Sequence, residues 1–275
     1  MRTVLVIGIG MGEPEGLTAR AVEAIGAAGV FFLLDKSEGA GELVAARESL
    51  IARLARPGHR VVRAPSPPRR PAPIAAAPDE GARARYEAAV ADWHAARAAL
   101  LAGLIASEIA EDGTGALLVW GDPMLYDSTL RVLEAARAHA ALGGGPGFAL
   151  RVIPGITALQ ALCAAHAIPL NAIGEAVRLT TGRNLAGAVG ETVTGETGAA
   201  ATFAVLLDDG AGLAALLARG WPGHVWWGAN LGTPAERLLS GPLVEIGAEI
   251  LRIRAEIRVA RGWVMDVWVG RGPPI

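Results

Sequence analysis

Val4-Leu5-Val6-Ile7 is an unbroken apolar run that ends in glycines, with Gly8, Gly10 and Gly12 alternating with Ile9 and Met11 before the polar stretch Glu13-Pro14-Glu15. A short apolar run bounded by glycine predicts a buried strand over residues 2–9, and the helical spacing that follows predicts a helix over 15–28. The pattern repeats as strand 29–34, helix 40–56 and strand 60–63, then as one long helix over 80–109 in which Tyr86, Val90, Trp93, Leu101, Leu104, Ile105 and Ile109 recur at helical spacing. Strand 116–120, helix 124–140, a glycine-rich turn over 143–147 and strand 148–153 complete this half, while the proline-rich stretch 64–78 reads as an extended loop. Strands alternating with helices are the rhythm of a parallel α/β sheet. Past Pro154-Gly155 the pattern changes: a helix over 157–167 precedes strands near 176–181, 201–207 and 224–228. Two closing strands follow, 248–258 and 262–269, close enough in sequence to pair as an antiparallel hairpin. For 275 residues the expectation is an α/β fold in two domains. Residues 1–155 carry a mostly parallel sheet with helices, and 156–275 a mixed sheet with helices.

Composition removes several functions from consideration. The 52% apolar content comes largely from alanine, and charges interrupt every long apolar run, so no membrane partner is expected. Glu13-Pro14-Glu15 stands where a signal peptide would have its cleavage site, which points to a cytoplasmic protein. A net charge of −2 without a clustered basic surface argues against a nucleic-acid partner. The lone Cys163 has no intrachain disulfide partner, and His59, His94, His139, His166 and His224 have no mutual metal-ligand spacing, so no metal is expected. Of the 25 Lys and Arg residues only Lys36 is lysine. Genome base composition explains most of that bias, although arginine's planar fork also suits a polycarboxylate substrate.

The candidate chemistry lies at strand ends. Glycine after the first strand lets a ligand approach main-chain groups, but Glu13 occupies the place of the third glycine in the dinucleotide fingerprint. Asp35, ending the second strand, is where a nicotinamide enzyme would bind a ribose hydroxyl, so an oxidoreductase remains open from Gly8, Gly10 and Asp35 alone, as does a nonenzymatic binding module. Two further strands end in special corners: Trp120-Gly121-Asp122-Pro123-Met124-Leu125-Tyr126-Asp127-Ser128 and Ile153-Pro154-Gly155-Ile156-Thr157.

A Gly-x-Gly-x-Gly…Leu-Thr loop, a Gly-Asp-Pro loop and a Pro-Gly-Ile-Thr turn, in this order, resemble the tetrapyrrole methylase family, and the resemblance spans nearly the whole chain. It implies a cleft between the two domains, S-adenosylmethionine as methyl donor with S-adenosylhomocysteine as product, a tetrapyrrole (precorrin) substrate and a homodimer. Met1–Gly12, Trp120–Leu130 and Trp227–Pro234 are most similar to members that methylate a precorrin carbon and release an acetyl group as acetate. Relatives acting on other precorrins, ribosomal RNA or a diphthamide precursor remain as alternatives. By this resemblance Met11, which replaces a proline common in the family, lines the cofactor together with Trp120, Gly121, Asp122, Leu125, Thr157, Ala158, Leu207 and Gly232. Asp122 is read either as a cofactor ligand or as the brace of its own turn. Asp35, Tyr126 and Asp127 are the candidates for substrate chemistry, and Trp226-Trp227 reads as core.

Overall fold

The computed structural model describes residues 1–35, 41–68, 80–143, 147–185 and 202–272. Lys36, most of the proline-rich stretch (69–79) and the middle of the glycine turn (144–146) lie outside these residues, as does the side chain of Asp35. The chain divides into two compact units, Met1–Ile156 and Thr157–Ile275.

In the first unit β1 (Arg2–Gly8), β2 (Val30–Asp35), β3 (Arg60–Pro65), β4 (Thr114–Val119) and β5 (Phe148–Ile153) form one sheet in the order β3-β2-β4-β1-β5, with every adjacent pair parallel. The helices are α1 (Ala19–Ala27), α2 (Gly41–Leu54), α3 (Glu80–Glu108) and α4 (Thr129–Leu142). Right-handed crossovers send α1 and α2 towards the β3 edge on one face and bring α3 and α4 back on the other. Burial agrees: Leu5, Ile7, Phe31 and Leu118 pack with Ile25 of α1 and Leu50 and Ile51 of α2, whereas Val4, Val6, Phe32 and Leu117 pack with Leu101 and Ile105 of α3 and Val132 of α4. Alternate residues of each strand thus serve opposite layers. The chain leaving β4 goes to one face while those leaving its neighbours β1 and β2 go to the other, so β4 marks a topological switch, where α/β sheets hold ligands at their carboxyl ends. By length and composition Ala84–Glu108 of α3 is apolar enough to cross a membrane, with mean hydropathy 1.2. Its residues Ala98, Leu101 and Ile105 are buried on the sheet.

The second unit has the sheet order β6-β7-β10-β8-β9, from β6 (Val177–Thr181), β7 (Thr202–Leu206), β8 (His224–Ala229), β9 (Arg237–Pro242) and β10 (Asp266–Arg271). Only β6 and β7 are parallel, which makes the sheet mixed, as expected. The helices are α5 (Ala158–Ala165), α6 (Ala211–Ala218) and α7 (Leu243–Arg261). Trp227, Trp268, Phe203 and Val205 pack with Leu213 and Leu216 of α6 and Leu243 and Ile250 of α7. On the other face Leu162 of α5 sits against Gly228.

The expected closing hairpin is corrected here. Residues 248–258 belong to α7, and β10 instead lies between β7 and β8. Leu251–Val259 alternates apolar and polar like a strand, but Ile246, Ile250, Ile253 and Ile257 form a helical stripe that packs with the core, and Arg252 bridges Glu249 and Glu256 one helical turn to either side. The expected start of α4 also shifts, from 124 to Thr129: Tyr126 is left-handed (φ 53°), and the Asp127 carboxylate accepts the Thr129 N–H at 2.6 Å, a helix-starting hydrogen bond.

Candidate active site

Three strand ends of the first unit meet through bare backbone. The Gly121 N–H donates to Gly10 O at 2.8 Å and the Gly10 N–H donates back to Gly121 O at 3.2 Å, a bridge that extends the β1–β4 pairing past the sheet. A methyl group on Gly155 would lie 2.7 Å from the Gly8 carbonyl carbon and closer still to Gly121 O, so β5 approaches β1 and β4 only because glycine stands there. Gly12 (φ 90°) is equally constrained, since a Cβ there would run into the Trp120 ring.

Asp122 ties this corner together. It is buried, one oxygen accepting the Met124 N–H at 2.8 Å and the other the Gly155 N–H at 2.9 Å, so its carboxylate braces the β4 loop against the β5 loop. Of the two readings of Asp122, this geometry accounts for the brace. Met11 is buried beside the same backbone, and Trp120 carries a buried Nε1 with no hydrogen-bond partner among the described residues. Beyond Asp122 the loop presents apolar surface, with Met124 72% and Tyr126 39% exposed, and the Leu125 N–H donates to Asp122 O at 3.2 Å. Burial pushes the Tyr126 hydroxyl up, so at neutral pH it is a proton donor rather than a base. Asp127 faces inward: it acts electrostatically on Arg47 of α2 and Arg97 of α3, which the sequence reading did not single out. Asp35 closes β2 opposite Pro65 of β3.

The remaining expected cofactor residues belong to the second unit. Thr157 forms a capping box with Gln160: its Oγ1 accepts the Gln160 N–H at 3.2 Å, Gln160 Oε1 accepts the Thr157 N–H at 2.9 Å, and Ala158 begins α5. Leu207 leaves β7 in the left-handed region (φ 53°) with its side chain 68% exposed. The next residue holds it there, because the buried Asp208 accepts N–H groups from Gly210, Gly212 and Leu213 and the Trp268 indole. Gly232 (φ 72°) follows β8, its N–H donating to Glu236 at 2.8 Å. Among the described residues no group of three His, Cys, Asp or Glu has the arrangement to hold a metal ion.

In the first unit, the glycine corners follow strands beside a topological switch, the place where α/β sheets hold ligands. The model of the family described as Tetrapyrrole (Corrin/Porphyrin) Methylases matches residues 3–247. The chain belongs to the tetrapyrrole methylases. This methylase is 42% identical over 273 residues to the precorrin-6A synthase (deacetylating) of a Sinorhizobium species, spanning 98% of this chain and 95% of the relative. It resembles the crystal structure of a cobalamin synthesis related protein, CobF, from Corynebacterium diphtheriae, with TM-score 0.75 and 36% identity over 98% of both chains. The uroporphyrin-III C-methyl transferase of Thermus thermophilus, solved with S-adenosyl homocysteine, shares the fold at TM-score 0.55 and 20% identity, over 98% of this methylase and 92% of that chain.

Proposed function

We propose that this methylase transfers the methyl group of S-adenosylmethionine to C-1 of precorrin-5 and releases the acetyl group as acetate, giving precorrin-6A. The observation that carries this reading is the 42% identity, running almost end to end, with a deacetylating precorrin-6A synthase. The corner suits the donor: Gly8, Gly121 and Gly155 carry no side chain to cover their main chain, and the buried Trp120 Nε1 has no hydrogen-bond partner among the described residues. When bound, S-adenosylmethionine supplies a methyl group already activated on a sulfonium.

What remains for this chain is to orient the macrocycle, exclude water from the methyl group and direct water at the acetyl carbon. Tyr126, protonated at neutral pH and half-exposed beside the corner, donates a hydrogen bond to the macrocycle. Asp127 and Asp35 are the carboxylates we assign to the water: its hydroxyl joins the acetyl carbon and leaves in acetate, its proton is taken by the carboxylate and passed to solvent, and the electron pair of the broken carbon–carbon bond stays with the macrocycle. Leu207, Gly232, Thr157 and Ala158 are assigned to the cofactor through the family resemblance. The protein works in the cytoplasm as a homodimer, with neither nucleic acid nor membrane as partner.

The test is product analysis with precorrin-5 and methyl-labelled donor. One label on the macrocycle and one free acetate per S-adenosylhomocysteine are expected. Methylation with the acetyl group retained overturns the deacetylating assignment, and absence of label from any tetrapyrrole overturns the substrate.

A further inference from the structure

In the sheet of the first unit β2 and β4 pair only at Val30–Gly115 and Phe31–Ala116. Beyond those positions they fork, β2 staying with β3 as far as Asp35 and β4 with β1 as far as Val119. Two arginines enter the fork from opposite faces of the sheet. Arg47 of α2 takes the place of a strand neighbour, its Nε donating to Leu118 O at 2.9 Å and its Nη1 to Leu43 O at 3.0 Å. Arg97 of α3 lies against the Trp93 ring, its Cζ 4.7 Å from the centroid. Arg97 is only 9% exposed, yet its buried Nε has no hydrogen-bond partner among the described residues. Between the strand ends is a cavity of about 130 Å³ lined by both arginines, by apolar residues such as Leu34 and Val119, and by Asp127 and Ser128 at its rim.

Among the described residues, the charges lining this cavity do not balance. Burial pulls both guanidinium groups down, and Asp127 holds both up. Among the described residues that line it, one carboxylate faces two cations, and one of its oxygens is already engaged by the Thr129 N–H. A buried cation short of an acceptor is costly, and a guanidinium is best satisfied by the two parallel oxygens of a carboxylate. The apolar strand edges behind it suit a short alkyl group.

We infer that the β2/β4 fork is a binding site for a short aliphatic carboxylate, with Arg97 as its principal donor and Arg47 as its second cation. Two sources share that chemistry: a carboxylate-bearing side chain of the macrocycle, and the acetate that the reaction releases. The second source rests on the proposed function; the site itself rests on the fork.

The test uses the full-length protein and sodium acetate, with binding followed by calorimetry and S-adenosylhomocysteine affinity measured alongside. Arg97→Met keeps the apolar stem and removes the fork; it should weaken acetate binding by about tenfold or more with cofactor affinity unchanged. Arg97→Lys keeps the charge without the planar fork and should lie between the two, which preserves the test if the Met variant folds poorly. Wild-type protein that binds no acetate, or Arg97→Met protein that binds it as wild type does, overturns the site. In turnover, acetate that raises the KM for precorrin-5 identifies a macrocycle carboxylate as the occupant, whereas acetate that lowers kcat at unchanged KM identifies the product. Acetate binding that depends on Arg97, in a protein that fails to release acetate from precorrin-5, supports the site and overturns the proposed reaction instead.

Discussion

Gly155 leaves no room for a methyl group, and this single clearance holds three strand ends together. In Gly155→Ala the new Cβ meets backbone of Gly8 and Gly121, neither of which has a flexible side chain to move aside. The corner must open, and the Asp122–Gly155 hydrogen bond lengthens with it. We expect a loss of stability of about 1–3 kcal/mol, the range for overpacking, and a fall in S-adenosylhomocysteine affinity larger than stability alone explains. Calorimetry on the folded variant decides: unchanged affinity would remove the corner from the cofactor site. Tyr126 poses the complementary case. Its hydroxyl is assigned to substrate, so Tyr126→Phe should lower kcat while leaving S-adenosylhomocysteine affinity unchanged, and wild-type turnover in that variant would leave the residue to packing alone.

Among the elements, the sequence is most legible where hydrophobic period and function agree. β1, β2 and β4 are short apolar runs because each is buried on both faces, whereas the edge strand β5 carries the exposed Arg151 and Val152; the corners after β1, β4 and β5 are visible through their glycines. α7 is illegible by the same logic, because alternation over Leu251–Val259 satisfies a strand locally while the stripe that decides the outcome extends back to Leu243. Arg47 and Arg97 were hidden in the same way: each interrupts an apolar helical stripe, Leu43-Arg47-Leu50 and Trp93-Arg97-Leu101, and a lone arginine at such a position was the available signal. A third such arginine, Arg254 on the buried side of α7, pairs with Asp266 of β10, which also accepts the Trp227 indole N–H at 2.7 Å. Arg254→Met strands a buried carboxylate and should cost about 3–5 kcal/mol in urea unfolding, and adding Asp266→Leu should recover part of the loss. A double variant no more stable than the single would show that the helix, rather than the charge, was damaged. His224 at the head of β8 gives the sheet a pH dependence. Burial, then the nearby Arg271 and His166, hold its pKa below the ordinary 6.5, so the unfolded chain takes up the proton first. That contribution is complete above 6.5 and is lost as pH falls through 6.5 towards the lower folded value. His224→Phe, which keeps the ring contact with Trp226, should flatten this part of the pH–stability curve; an unchanged slope would assign it elsewhere.

Across the whole molecule, each unit carries an apolar core of its own and sets its special backbone at the ends of strands rather than within them. In the first unit the bare positions follow β1, β4 and β5; in the second, Leu207, Asn230 and Gly232 hold positive φ after β7 and β8. Strained backbone of this kind persists when its surroundings enforce it, and here Asp208 secures the segment after Leu207 while the Asn230 N–H is held by Met265 O at 2.9 Å. An exposed leucine on enforced left-handed backbone gains nothing for the fold, which favours a ligand as its reason. Hydrogen exchange with and without S-adenosylhomocysteine tests all the assigned residues together. Amides at 8–12, 120–122, 124–126 and 155–156 should be protected if the cofactor takes the glycine cradle, and those at 157–158, 207–208 and 230–233 if Thr157, Ala158, Leu207 and Gly232 also contact it. Protection confined to the first unit would keep the cradle and withdraw Thr157, Ala158, Leu207 and Gly232, whereas protection only in the second would withdraw the cradle, since an amide that a bound nucleoside covers exchanges more slowly whatever the rest of the chain does.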